Sequence, residues 1–111
     1  MIEKIVLDFL NNNLTAPAYM EEQRESKERF VLVEKVGSSD ENFIKSATIT
    51  IQSFAPSMFE AASLNEEVKA TISNIVSLSK IVNVSLNSDY NYTDTSQKRY
   101  RYQAVFDFIY Y

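Results

Sequence analysis

The sequence predicts an α+β domain: a mostly antiparallel sheet of about four to five strands with two helices packed on one face. Three observations carry that prediction. Residues 98–111, KRYRYQAVFDFIYY, alternate strictly, with Tyr100, Tyr102, Ala104, Phe106, Phe108 and Tyr110 on one side and Arg99, Arg101, Gln103, Val105, Asp107 and Ile109 on the other. A period of two with this aromatic content marks a strand, because successive side chains point to opposite sheet faces. Residues 30–36 and 43–55 are two further alternating runs separated by a turn-rich stretch. Residues 2–14 and 57–75 place apolar side chains at spacings of three and four, the pattern of a helix with one core-facing stripe. The expected order is α-β-β-β-α-β-β in a single domain, 1–111.

In the first helix the stripe is Ile2, Ile5, Val6, Phe9, Leu10 and Leu14, and it ends at Asn11-Asn12-Asn13, whose amides compete for backbone groups. Pro17 then breaks the chain, and Ala18-Tyr19-Met20 reads as a short edge strand. The mixed-charge run 21–29, EEQRESKER, has no apolar residue and so no face to hold it to a core. It reads as a solvated loop.

In the run 30–36, Phe30, Leu32, Glu34 and Val36 share one face and Val31, Val33 and Lys35 the other. The cluster from Gly37 to Asn42 reads as a turn, with Gly37 free to take a positive φ. In 43–55, Ala47, Ile49 and Ile51 face the core and Thr48, Thr50 and Gln52 face out. The two runs make an antiparallel hairpin. Ser57 followed by Glu60 is a capping box, which opens a helix whose stripe is Ala61, Leu64, Val68, Ile72 and Ile75. After the link 77–80, Val82, Val84 and Leu86 alternate with Asn83, Ser85 and Asn87, and Tyr90 and Tyr92 continue the parity of the first set. The turn into the last strand is expected near Thr93-Asp94-Thr95-Ser96. Fourteen residues extend roughly 45 Å at about 3.3 Å each, so that strand needs neighbours in its own sheet or in another subunit.

Composition narrows the function. The chain has 111 residues, 45% of them apolar and 23% charged, as in an ordinary globular domain. With neither Cys nor His it lacks thiolate nucleophiles, imidazole bases and the usual zinc ligands. Its one glycine excludes Gly-rich phosphate loops. The expectation is therefore a non-enzyme without metal or cofactor. A net charge of −4 argues against a nucleic-acid-binding face, and no 18-residue apolar run suggests a membrane span. The N-terminal stretch carries acids among its apolar residues and reads as no secretory signal, which points to the cytoplasm.

Two groups of residues are candidate sites. The aromatic ladder of the last strand, with Lys98, Arg99 and Arg101, has the chemistry to stack single-stranded nucleic acid. On so acidic a chain its better reading is that one face packs beneath the helices. Tyr90, Tyr92, Arg99, Arg101 and Asp107 are then left as subunit contacts, since tyrosines suit surfaces buried on association. The second group is acidic: Asp40 and Glu41 at one hairpin tip, Asp89 and Asp94 near the other. They read as solvated turn carboxylates, without EF-hand spacing. Were they to line a pore, their charge would repel a phosphate backbone.

Taken as wholes, the segments MIEKIVLDFLNN, VLVEKVG, SATITIQSFAPSMFEAASLNEEVK and LNSDYNYTDTSQKRYRYQAVFDFIYY resemble the tail-terminator, or tail-completion, proteins of long-tailed bacteriophages and prophages of Gram-positive bacteria. The resemblance covers nearly the full chain and includes no catalytic signature. It implies a protein that is often monomeric before assembly and forms a ring, usually hexameric, on the head-proximal end of the tail tube. Its implied partners are further copies of itself, the tail tube protein and the head–tail connector, with no specific nucleic acid and no membrane. It implies a place in the host cytoplasm during assembly and then in the virion. A head-completion or connector protein of the same phage module, and a single-stranded nucleic-acid-binding module, are the alternatives.

Overall fold

A computed structural model describes residues 1–23 and 28–111. The elements are α1 (Ile2–Asn13), β1 (Ala18–Tyr19), β2 (Phe30–Glu41), β3 (Ile44–Ala55), α2 (Met58–Ser73), a short 3-10 turn (Ile75–Ser77), β4 (Ile81–Asn91) and β5 (Tyr100–Tyr110). This is the expected α-β-β-β-α-β-β order. The five strands form one sheet in the spatial order β1-β2-β3-β5-β4. All neighbours are antiparallel except β1, which runs parallel to β2 at the edge, so the sheet is mixed. The loop expected over 21–29 lies partly outside the described residues, at 24–27; Glu21–Gln23, Glu28 and Arg29 form neither helix nor strand.

Both helices pack on the same face of the sheet. Ile2, Val6 and Leu10 of α1 and Leu64, Val68 and Ile72 of α2 meet Val31, Val33, Ile49, Ile51, Ala104, Phe106 and Phe108 in one buried cluster. The stripe predicted for α2 is buried as expected, and Asn65 joins it. Ser57 caps that helix: its hydroxyl accepts from the Glu60 amide at 3.2 Å and donates to the Glu60 carboxylate at 3.0 Å.

The central strand is β3, and β5 lies beside it, paired along its length with β3 and with β4. The length of the last strand is therefore satisfied inside the chain, and it is no sign of an outside partner. That strand also starts later than its composition suggests. Lys98 has a positive φ of 54° and closes the turn, and Asp94 bridges Arg99 before β5 begins.

Two further sequence expectations are corrected. The turn of the first hairpin lies five residues beyond Gly37, at Asn42-Phe43. Gly37 has no positive φ; it sits inside β2 next to a register shift between Lys35 and Gly37. Similarly, β4 does not alternate evenly from Val82 to Tyr92. Register shifts between Ile81 and Asn83 and between Leu86 and Ser88 each displace the parity. Val84 and Leu86 pair across from Phe108 and Phe106 on the helix side, whereas Tyr90 pairs with Gln103 on the opposite side.

Asn42 and Phe43 form a two-residue hairpin loop with φ of 53° and 66°. Left-handed backbone at both central positions is the type I′ pattern, which favours Asn-Gly. Asn42 suits it. Phe43 does not, because an L-residue with a Cβ is penalised there by about 1–2 kcal/mol. Replacing Phe43 by Gly is therefore expected to stabilise the protein by about 1 kcal/mol in urea unfolding, despite the loss of an aromatic side chain. A destabilised variant would show that the ring is held by contacts within the chain.

Candidate functional site

With both helices on one side, the opposite face of the sheet carries no helix among the described residues. Cross-strand pairs make it a largely polar surface. Gln52 donates to Gln103 at 2.8 Å, and Gln103 donates to the Tyr90 hydroxyl at 2.5 Å. Lower down, Thr48 donates to one oxygen of Asp107 at 2.7 Å and Asn87 to the other at 3.0 Å. Asp107 thus tethers β3, β4 and β5 and stands in a shallow hollow of about 470 Å³ lined also by Gly37, Ser39, Ser46, Thr48 and Ile109. Small side chains on β2 and β3 leave that space open.

At the far end of the same face the surface becomes aromatic and cationic. The rings of Phe30 and Phe54 stack with centroids 4.7 Å apart, and Tyr19 leans on Phe30. The Arg99 guanidinium lies 5.0 Å above Phe54. That of Arg101 lies 5.6 Å from Phe54 and 4.5 Å from Tyr92, within the range of cation–π attraction. Arg101 is further fixed by donating from Nε to the Tyr92 carbonyl at 2.7 Å, and Arg99 is paired with Glu22. Tyr90 and Tyr92 stand edge to face and are 42% and 45% exposed. The register shift in β4 is what brings Tyr90 to this side. Four of the five expected subunit-contact residues, Tyr90, Tyr92, Arg99 and Arg101, are thus gathered at one end, while Asp107 lies in the hollow nearer the middle.

The four acidic residues are not gathered. Asp40 and Glu41 are exposed beside the Asn42-Phe43 tip. Asp94 is at the opposite end of the sheet, in the β4–β5 hairpin. The Ser96 hydroxyl, donating at 2.7 Å, lowers its pKa, against a smaller effect of burial and with help from the Gln97 and Ser96 amides and the Arg101 charge. Asp89 is corrected: it is no tip residue. It faces α2, where Lys69 and Asn65 each donate to it at 2.9 Å. The carboxylates of Glu66 and Asp89 raise the Lys69 ammonium pKa. Asp89 therefore joins β4 to α2, a role the sequence hid because the shift at Leu86 and Ser88 decides which way residue 89 points.

Phe43 stands out in the structure but not in the sequence pattern. It is 94% exposed, and the left-handed backbone it occupies is unusual for an aromatic residue. The Asn before it was the available signal. Among the described residues no group of three or more acidic residues could hold a metal ion, and no helix is long and apolar enough to cross a membrane. No protein-family model matches the chain, and no curated protein matches it.

Proposed function

We propose that the chain is a structural subunit of a long-tailed bacteriophage or prophage, a tail terminator that forms a ring on the tail tube and presents the surface to which the head connector joins. The observation that carries this reading is the placement of two hairpins at opposite ends of a sheet whose one face carries no helix among the described residues. The Asn42-Phe43 tip lies beyond the Ile44 end of β3 and the Asp94–Arg99 tip beyond its Ala55 end, in a molecule 45 Å long. A ring subunit needs two different surfaces, one for each neighbour, because head-to-tail contacts close rings whereas self-complementary contacts stop at dimers. The whole-chain resemblance supports the same role, as does the lack of Cys and His. The role is structural and not catalytic, carried out in the host cytoplasm and retained in the virion.

The nucleic-acid alternative loses its main element. Phe106 and Phe108 are buried beneath the helices and have no face to offer a base. Oligonucleotide binding that is tight at low salt and falls steeply with added salt would revive that alternative. The decisive experiment is deletion of the gene from the phage that carries it. Tails of uncontrolled length, or complete tails unattached to filled heads, are expected. Normal tails with defective heads would instead assign the chain to head completion, and normal virions would refute both.

A further inference from the structure

The Asn42-Phe43 tip violates a local rule. Where the turn favours glycine, the chain carries a phenylalanine that is 94% exposed and makes its own backbone less favourable. Unfavourable backbone kept at an exposed position points to a function met outside the subunit. Glu41 lies beside it on the open side of the sheet, across from Ile44, and no ion pair among the described residues involves it. Asp40 points to the helix side instead, across from Lys45. The tip thus presents one aromatic ring, one aliphatic side chain and one carboxylate.

The other end of the same open face presents the complement. Tyr90 and Tyr92 offer exposed ring surface, and the Arg101 guanidinium is held in place by Tyr92 and Phe54 before any partner arrives. Such a prearranged guanidinium suits a carboxylate, and the two tyrosines suit a ring laid against them. We infer that the Phe43 tip of one copy docks on the Tyr90–Tyr92–Arg101 platform of the next, with the Phe43 ring against the tyrosines and Glu41 on Arg101. Knob and platform lie about 30–36 Å apart along β3, at about 3.3 Å per residue from Phe43 to the level of Gln52 and Phe54, too far to meet within one chain. The contact is therefore between copies; two copies exchanging both contacts would close as a pair, and the ring-forming reading selects instead the head-to-tail arrangement that repeats from copy to copy. This rests on the ring-forming reading and says which surfaces make the ring. It also places Glu41 in the contact and not in a lumen.

The absence of native cysteine allows a clean test. Ile44→Cys on the tip is combined with Gln97→Cys on the opposite hairpin, and the concentrated protein is treated at low salt with a short bis-maleimide. A ladder of dimers, trimers and higher species is expected, well above that of Ile44→Cys alone or of Ile44→Cys with Ser63→Cys on the outer side of α2. Adding Glu41→Lys is expected to reduce the ladder by about tenfold or more, through like charge against Arg101. Adding Phe43→Gly is expected to reduce it similarly while raising stability, which excludes unfolding as the cause. Products that stop at dimers, a ladder no stronger than the controls, or one unchanged by both substitutions, overturns the proposal. Tail-tube caps that form normally with Glu41→Lys and Phe43→Gly also overturn it, and leave the terminator role standing.

Discussion

Phe108→Ala is expected to destabilise the protein by about 3–5 kcal/mol, out of a total of about 5–15 kcal/mol for a domain of this kind. Phe108 is fully buried, with Ala47 across on β3 and Val84 across on β4. Its ring lies 6.3 Å from that of Phe106, so its removal opens a void in the centre of the helix–sheet interface. Phe106→Ala is expected to fall near the bottom of the same range. Phe106 borders a surface hollow of about 150 Å³ with Ile72, Val84 and Leu86, and neighbours there have room to close in. Urea unfolding with an unchanged m-value measures both. The reverse order would show that the space around Phe106 is the more rigid of the two.

The second large effect is expected at Glu67, which holds the periphery of the fold together. Its carboxylate accepts from the Thr15 amide at 2.8 Å, from the Thr15 hydroxyl at 2.9 Å and from Arg29 at 2.9 Å. One side chain on α2 thereby ties down the segment after α1 and the segment entering β2. Glu67→Ala is expected to lose about 1–2 kcal/mol, around the bottom of the range for bonds to a charged group, because the ion pair is a third exposed to water. Burial alone would raise the Glu67 pKa, but the Thr15 amide, the Thr15 hydroxyl and Arg29 together outweigh it, and the net shift is downward from 4.5. A depressed carboxylate contributes stability that is full above its unfolded value and is lost as pH falls through the lower, folded value. Stability should therefore decline below about pH 4.5, and Glu67→Gln should flatten part of that decline. An identical acid slope in Glu67→Gln would show that other carboxylates carry it.

Much of the fold was legible because its signals are redundant. The α2 stripe agrees with the Ser57–Glu60 cap at its start, and the alternation in β3 and β5 agrees with the burial of Ala47, Ile49, Ile51, Phe106 and Phe108. What escaped depends on single inserted residues. A bulge adds one residue to one strand, and the neutral residues Asn87 and Ser88 leave no trace of it in a hydrophobic pattern. That one shift turned Tyr90 to the open face and Asp89 toward Lys69. The hairpin turn was misplaced for a related reason. Gly37 is the obvious breaker, but it serves the bulge in β2, while the true turn uses an aromatic residue that local preference disfavours. Of the candidate site, the tyrosines and arginines were legible by composition. Their convergence with Phe54 was not, because it depends on the register of β3 against β5.

The most direct measurement is to add the purified protein to growing tail tubes and follow their length by electron microscopy. Tubes that stop elongating, each with a ring of added density at one end, are the expected result. Tubes that continue to grow with bare ends in the presence of excess protein would contradict the terminator role.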